Sequence, residues 1–139
     1  LLLILNSVRH KEVSENDKSL SKRKLFGILF GLEALALALF TVMPDSTENG
    51  LSVPHLTESG FFLHLVAYLS LSALGYWACR HSFIPVFLFV ILYSTVLEGV
   101  QLYIPYRSFN YWDIVANLVG IFLFTVILYL DRKRRVKLN

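Results

Sequence analysis

Four long apolar stretches alternate with short polar ones along the chain. They run roughly from Leu25 to Met43, Phe61 to Cys79, Phe83 to Ile104 and Tyr111 to Leu130. Each has about the 20 residues that a helix needs to cross the hydrocarbon core of a bilayer. The pattern predicts an all-α fold, an integral membrane four-helix bundle over residues 25–130. A polar, basic arm precedes it over residues 1–24, read as mobile or interfacial, and a basic tail follows over 131–139. The opening "LLLIL" is too short to span and is not read as a complete signal peptide. No repeat and no low-complexity tract interrupts this plan.

Composition agrees with the pattern. Hydrophobic residues make up 55% of the 139 and charged ones 17%, too apolar a mix for the surface of a soluble domain. The net charge of +3 comes from basic residues near the two ends. That distribution is a topology signal and not a nucleic-acid footprint, so no nucleic-acid partner is expected. Arg9, Lys11, Lys18, Lys22, Arg23 and Lys24 precede the first span. Arg132, Lys133, Arg134, Arg135 and Lys137 follow the last. The loop from Pro44 to Gly60 has no Lys or Arg but carries Asp45, Glu48 and Glu58. Both termini are therefore expected in the cytoplasm, with the first loop and the Ile104–Tyr111 hairpin outside a plasma membrane crossed several times. Tyr103, Tyr106, Phe109, Tyr111 and Trp112 crowd the outer boundary, while Trp77 and Tyr129 suit the inner one. Cys79 is the sole cysteine, so no internal disulfide can form.

The polar residues inside the spans fall in pairs. His64 and Tyr68 are four apart on the second helix, Glu98 and Gln101 three apart on the third, and Asp113 and Asn117 four apart on the fourth. Each pair shares a helix face. Counted from the outer helix ends at ~1.5 Å per residue, His64 and Gln101 lie ~5 Å deep, and Glu98 and Asn117 ~9 Å deep. Polar side chains at matching depths on three helices are expected to face one another and not lipid. Pro105 is expected to end the third helix. Arg107 then follows, placed to fold over Glu98 or Asp113 and able to offer a fork to phosphate or carboxylate. Gly120, and Gly99 on the third helix, are expected to permit close helix packing. Glu33 lies in the inner half, away from this cluster, either protonated or at an interhelical contact. His64, Glu98 and Asp113 do not form a known metal motif, so no metal and no cofactor is expected.

The run Glu98-x2-Gln101-x3-Pro105-x-Arg107-x5-Asp113-x3-Asn117-x2-Gly120 resembles the VanZ-like membrane proteins. His64-x3-Tyr68 and Pro44 resemble the same family upstream. Gly60 and Phe61 stand where members often carry an acidic-basic pair, and Tyr106 stands where many have glycine. The resemblance implies a four-helix protein of the cell envelope. The family's named member is linked to low-level resistance to the glycopeptide teicoplanin.

Three functions remain open on the sequence. The first is binding of a membrane lipid or lipid-linked cell-wall intermediate by His64, Tyr68, Glu98, Gln101, Arg107, Asp113 and Asn117. The second is a small membrane enzyme on such a substrate, though no established catalytic motif is present. The third is a structural or assembly module whose polar core fixes helix register. Whether the chain forms a homo-oligomer is also open.

Overall fold

The computed structural model describes residues 2–43, 56–105 and 110–138, with side-chain surroundings for 13–43, 60–105 and 110–137. Its elements are α1 (Leu2–Val42), α2 (Leu56–Ala78), α3 (Phe83–Gln101) and α4 (Tyr111–Leu138). No strand occurs among the described residues. All four helices contain a stretch long and apolar enough to cross a membrane.

The helix ends differ from the sequence expectation for identifiable reasons. The arm does not stop short of Leu25 but is helical from Leu2. No glycine precedes Gly27 and no proline precedes Pro44, so a helix nucleated in the apolar span can propagate back through Lys-, Glu- and Leu-rich sequence. The basic tail likewise extends α4, helped by an Arg135–Asp131 ion pair of 2.9 Å spaced i,i+4. In contrast, α3 ends at Gln101 and not Ile104. Its last amides tighten to i−3 partners: Leu102 to Gly99 and Tyr103 to Val100. Pro105 keeps Ile104 out of the helical region, so the helix closes before it. Asn110 caps α4: its Oδ1 accepts from the Trp112 amide at 3.1 Å.

The turn between α2 and α3 is short. The His81 amide bonds back to the Tyr76 carbonyl at 2.9 Å, a Schellman-type closure. Arg80 and His81 both adopt positive φ, 54° and 61°, where glycine would be usual.

Helices α2 and α3 occupy the middle of the bundle, each touching the other three, while α1 and α4 lie on opposite sides without touching each other among the described residues. The core is Tyr68, Leu71, Val86, Val90 and Ile121, covered by Phe30 and its neighbours. The outside is apolar: Ile28, Phe62, Ile84, Leu92 and Phe122 are all exposed. Water would not tolerate so continuous an apolar coat, but lipid tails would. The Tyr93 hydroxyl donates to the Ala34 carbonyl and ties α3 to α1.

Glycine places α2 against α4. A Cβ at Gly120 would stand 2.3 Å from the Leu65 carbonyl oxygen and 3.1 Å from the Leu69 nitrogen. The two backbones therefore meet there, as expected. Gly99 does not act this way: nothing among the described residues lies within 4 Å of its Cβ position. The second close approach is at Gly75, against Val86 and Phe30.

Candidate functional site

The paired polar residues converge at the end of the bundle where α2 and α4 begin and α3 ends. Asn117 is the centre and is fully buried. Its Nδ2 donates to Ser94 Oγ at 3.0 Å and to Glu98 Oε1 at 3.1 Å. Its Oδ1 lies 2.9 Å from His64 Nδ1. The amide thus turns its nitrogen to Glu98 and Ser94 and its oxygen to His64. That oxygen in turn can only accept, so Nδ1 of His64 carries a proton. One amide thereby joins α2, α3 and α4 and sets the tautomer of the imidazole.

His64 also stands near two carboxylates. Its Nδ1 is 3.9 Å from Glu98 Oε1 and its Nε2 is 3.8 Å from Asp113 Oδ2. Depth separates their environments. The Glu98 side chain is 4% exposed, Asp113 18% and His64 30%. The cluster is thus closed at Glu98 and Asn117 and opens along the His64–Asp113 edge. Asp113 is further positioned by the Asn110 amide, 3.0 Å from its Oδ1. Tyr68, one turn deeper than His64, is buried and turns its hydroxyl toward Ser94, with Glu98 near.

The sequence reading therefore named five residues that the fold brings together: His64, Tyr68, Glu98, Asp113 and Asn117. Gln101 is buried one turn beyond Glu98 but makes no side-chain hydrogen bond among the described residues. Arg107 lies outside the described residues. Ser94 was missed. Its signal was the spacing: Ser94, Glu98 and Gln101 follow i, i+4, i+7 on one face of α3. Among the described residues no group of three or more His, Cys, Asp and Glu side chains is arranged to hold a metal.

Glu33 stands apart, as its depth implied. It accepts from Ser70 of α2, six residues beyond His64 and hence ~9 Å further along the helix. The other carboxylate oxygen is buried without a hydrogen-bond partner among the described residues. Ser70→Ala is expected to cost about 1 kcal/mol, the scale of an interhelical hydrogen bond in a membrane protein. Thermal unfolding in detergent would measure it, and an unchanged midpoint would mean the contact carries no stability.

Four apolar helices tied near one end by a buried imidazole–amide–carboxylate network define a multi-pass membrane protein with a polar interhelical site. The chain belongs to the VanZ/LLP1 family, whose sequence profile matches residues 2–132. No curated protein and no solved structure matches the chain.

Proposed function

We propose that the His64–Asp113 edge is the mouth of an outer-leaflet site for the polar head of a membrane lipid or lipid-linked cell-wall intermediate. The observation that carries this reading is the graded burial: Glu98 and Asn117 are sealed, whereas His64 is 30% exposed and held between Asn117 and Asp113. A core histidine serving only to join helices has no need of an open edge. In this reading both termini are cytoplasmic, the protein sits in the plasma membrane, and the basic residues at 132–137 face the cytoplasm. The acceptor-rich mouth suits hydroxyl or amine groups of a head, and Arg107 supplies the fork for its phosphate. Holding a cell-wall intermediate is also the route by which such a protein would alter teicoplanin susceptibility.

The test is lipid co-purification from native membranes, read by mass spectrometry. His64→Ala and Arg107→Ala are each expected to lower retention of the head-bearing lipid about tenfold, the scale of one lost hydrogen bond to a charged group. Equal retention in wild type and both variants would overturn the reading. The His64–Asp113 geometry also favours a second reading, acid–base catalysis on the same lipid, since Asn117 fixes the tautomer and leaves Nε2 at the open edge. Turnover of lipid-linked substrate that is lost in His64→Ala while retention persists would select it.

A further inference from the structure

The opposite end of the bundle carries a second, chemically different cavity. It is about 630 Å³ in volume and lies between the extended part of α1 and the α2–α3 turn. Lys18, Lys22, Arg23 and Arg80 line it, and Glu15 is the one carboxylate among its walls. None of these four cations forms an ion pair or a side-chain hydrogen bond to a carboxylate among the described residues. The Arg23 Nε is buried and has no hydrogen-bond partner there. Four positive groups against one negative one leave the cavity strongly positive at the edge of a low-dielectric slab, where charge is least screened.

Its floor is aromatic. Phe26 and Trp77 pack with ring centroids 5.4 Å apart. Trp77 is the next-to-last residue of the apolar stretch of α2, the level at which tryptophan marks a membrane boundary. The turn above contributes Arg80 from a positive-φ position that costs about 1 kcal/mol or more in a residue other than glycine. That conformation sets the Arg80 side chain on the cavity wall beside those of α1. Beyond the aromatic pair, α1 presents exposed Leu25 and Ile28.

We propose that this cavity binds the phosphate head of an anionic phospholipid from the adjoining leaflet. The cations hold the phosphate, Phe26 and Trp77 hold the glycerol backbone, and the acyl chains run along the exposed apolar face of α1. The long helical arm of α1 then has a role: without it, Lys18, Lys22 and Arg23 would not stand opposite Arg80.

The experiment uses the whole chain in mixed phosphatidylglycerol–phosphatidylcholine micelles, with bound lipid counted by native mass spectrometry. Phosphatidylglycerol is expected to be retained over phosphatidylcholine. Removing one surface cation weakens anionic-lipid binding about fivefold, so Arg23→Gln with Arg80→Gln should lower retention roughly 25-fold. Arg23→Lys with Arg80→Lys should keep most of it. Lys22→Gln alone, at an exposed position, should lose about fivefold and serves if the double variant fails to fold. In a Trp112→Phe background, brominated phosphatidylglycerol should quench Trp77 more than the brominated choline lipid does. Equal retention of the two lipids, or undiminished retention in the glutamine variants, overturns the proposal. Displacement of phosphatidylglycerol by inorganic phosphate alone would reassign the cavity to free phosphate and overturn the lipid assignment.

Discussion

Gly120→Val is expected to yield little folded, monodisperse protein. The first atom added, the Cβ, would already stand 2.3 Å from the Leu65 carbonyl oxygen, and the valine methyls would go further. The obstacle is backbone, which cannot rotate away as a side chain does. Overpacking typically costs 1–3 kcal/mol, and contact with an unyielding partner places this site at or beyond the top of that range, ~3 kcal/mol. For a chain of this length that is on the order of 10 °C in midpoint. Alanine should show a large part of the loss. The position also bears on the site. Gly120 is one turn from Asn117, and Leu65 is next to His64. Prying the helices apart therefore stretches the 2.9 Å His64–Asn117 contact as well. Gly75→Ala should cost less, because it meets Val86 and Phe30 side chains that can shift. Gly99→Ala should be neutral or gain up to about 1 kcal/mol, since its Cβ meets open space and alanine is the better helix former. Thermal unfolding of the three alanine variants ranks them. Equal midpoints for Gly120→Ala and Gly99→Ala would mean that α2 and α4 do not meet as described.

That ranking shows what the sequence can and cannot carry. Depth was legible because helical rise is constant: counting residues from the helix ends was enough to put His64, Glu98 and Asn117 at levels where they could meet. Rotation about the helix axis was less legible. Gly99 and Gly120 are the same residue in similar apolar surroundings, and only the packing shows that one faces a neighbouring backbone and the other, among the described residues, does not. Ser94 was hidden for a related reason. Hydroxyls in apolar helices usually bond back to their own helix, as Thr41, Ser72, Thr95 and Thr125 do here. The spacing puts Ser94 on the Glu98 face of α3, but only the packing shows that it receives a bond from α4. Helix ends were legible only where a strong signal exists. Pro105 marks the hairpin, but Arg80 and His81 close the α2–α3 turn at positive φ with no glycine to announce it. The helical arm carried no stop signal at all, and its polarity invited a break that the backbone does not make. The basic cavity was illegible for the same reason. Its cations come from residues 18–23 and from Arg80, which only the extended α1 brings face to face.

Asn117→Leu is expected to be the most damaging change within the polar cluster. The branched side chain is close in size, so packing is kept while every hydrogen bond of the amide is lost. His64, Ser94 and Glu98 each lose the group that faces them. Interhelical hydrogen bonds in membrane proteins average only ~0.6 kcal/mol, which for three contacts gives ~2 kcal/mol. Removing one partner from a buried ionic group can cost 3–5 kcal/mol. The smaller scale should dominate, because the cluster opens at His64 and water can partly replace the amide there. The expected loss is therefore about 2–3 kcal/mol. Adding Glu98→Leu separates stability from function. Replacing both partners by apolar groups of similar shape is often near neutral, so the double variant should recover much of the lost stability. It should not recover lipid retention, because His64 would have lost the oxygen that fixes its tautomer and the Glu98 carboxylate beneath it. Double-variant protein that unfolds like wild type and also retains lipid like wild type would reduce the network to a device for holding helices in register. Recovery of stability without recovery of retention would mean that the chain keeps a carboxylate in the membrane for what it binds and not for how it folds.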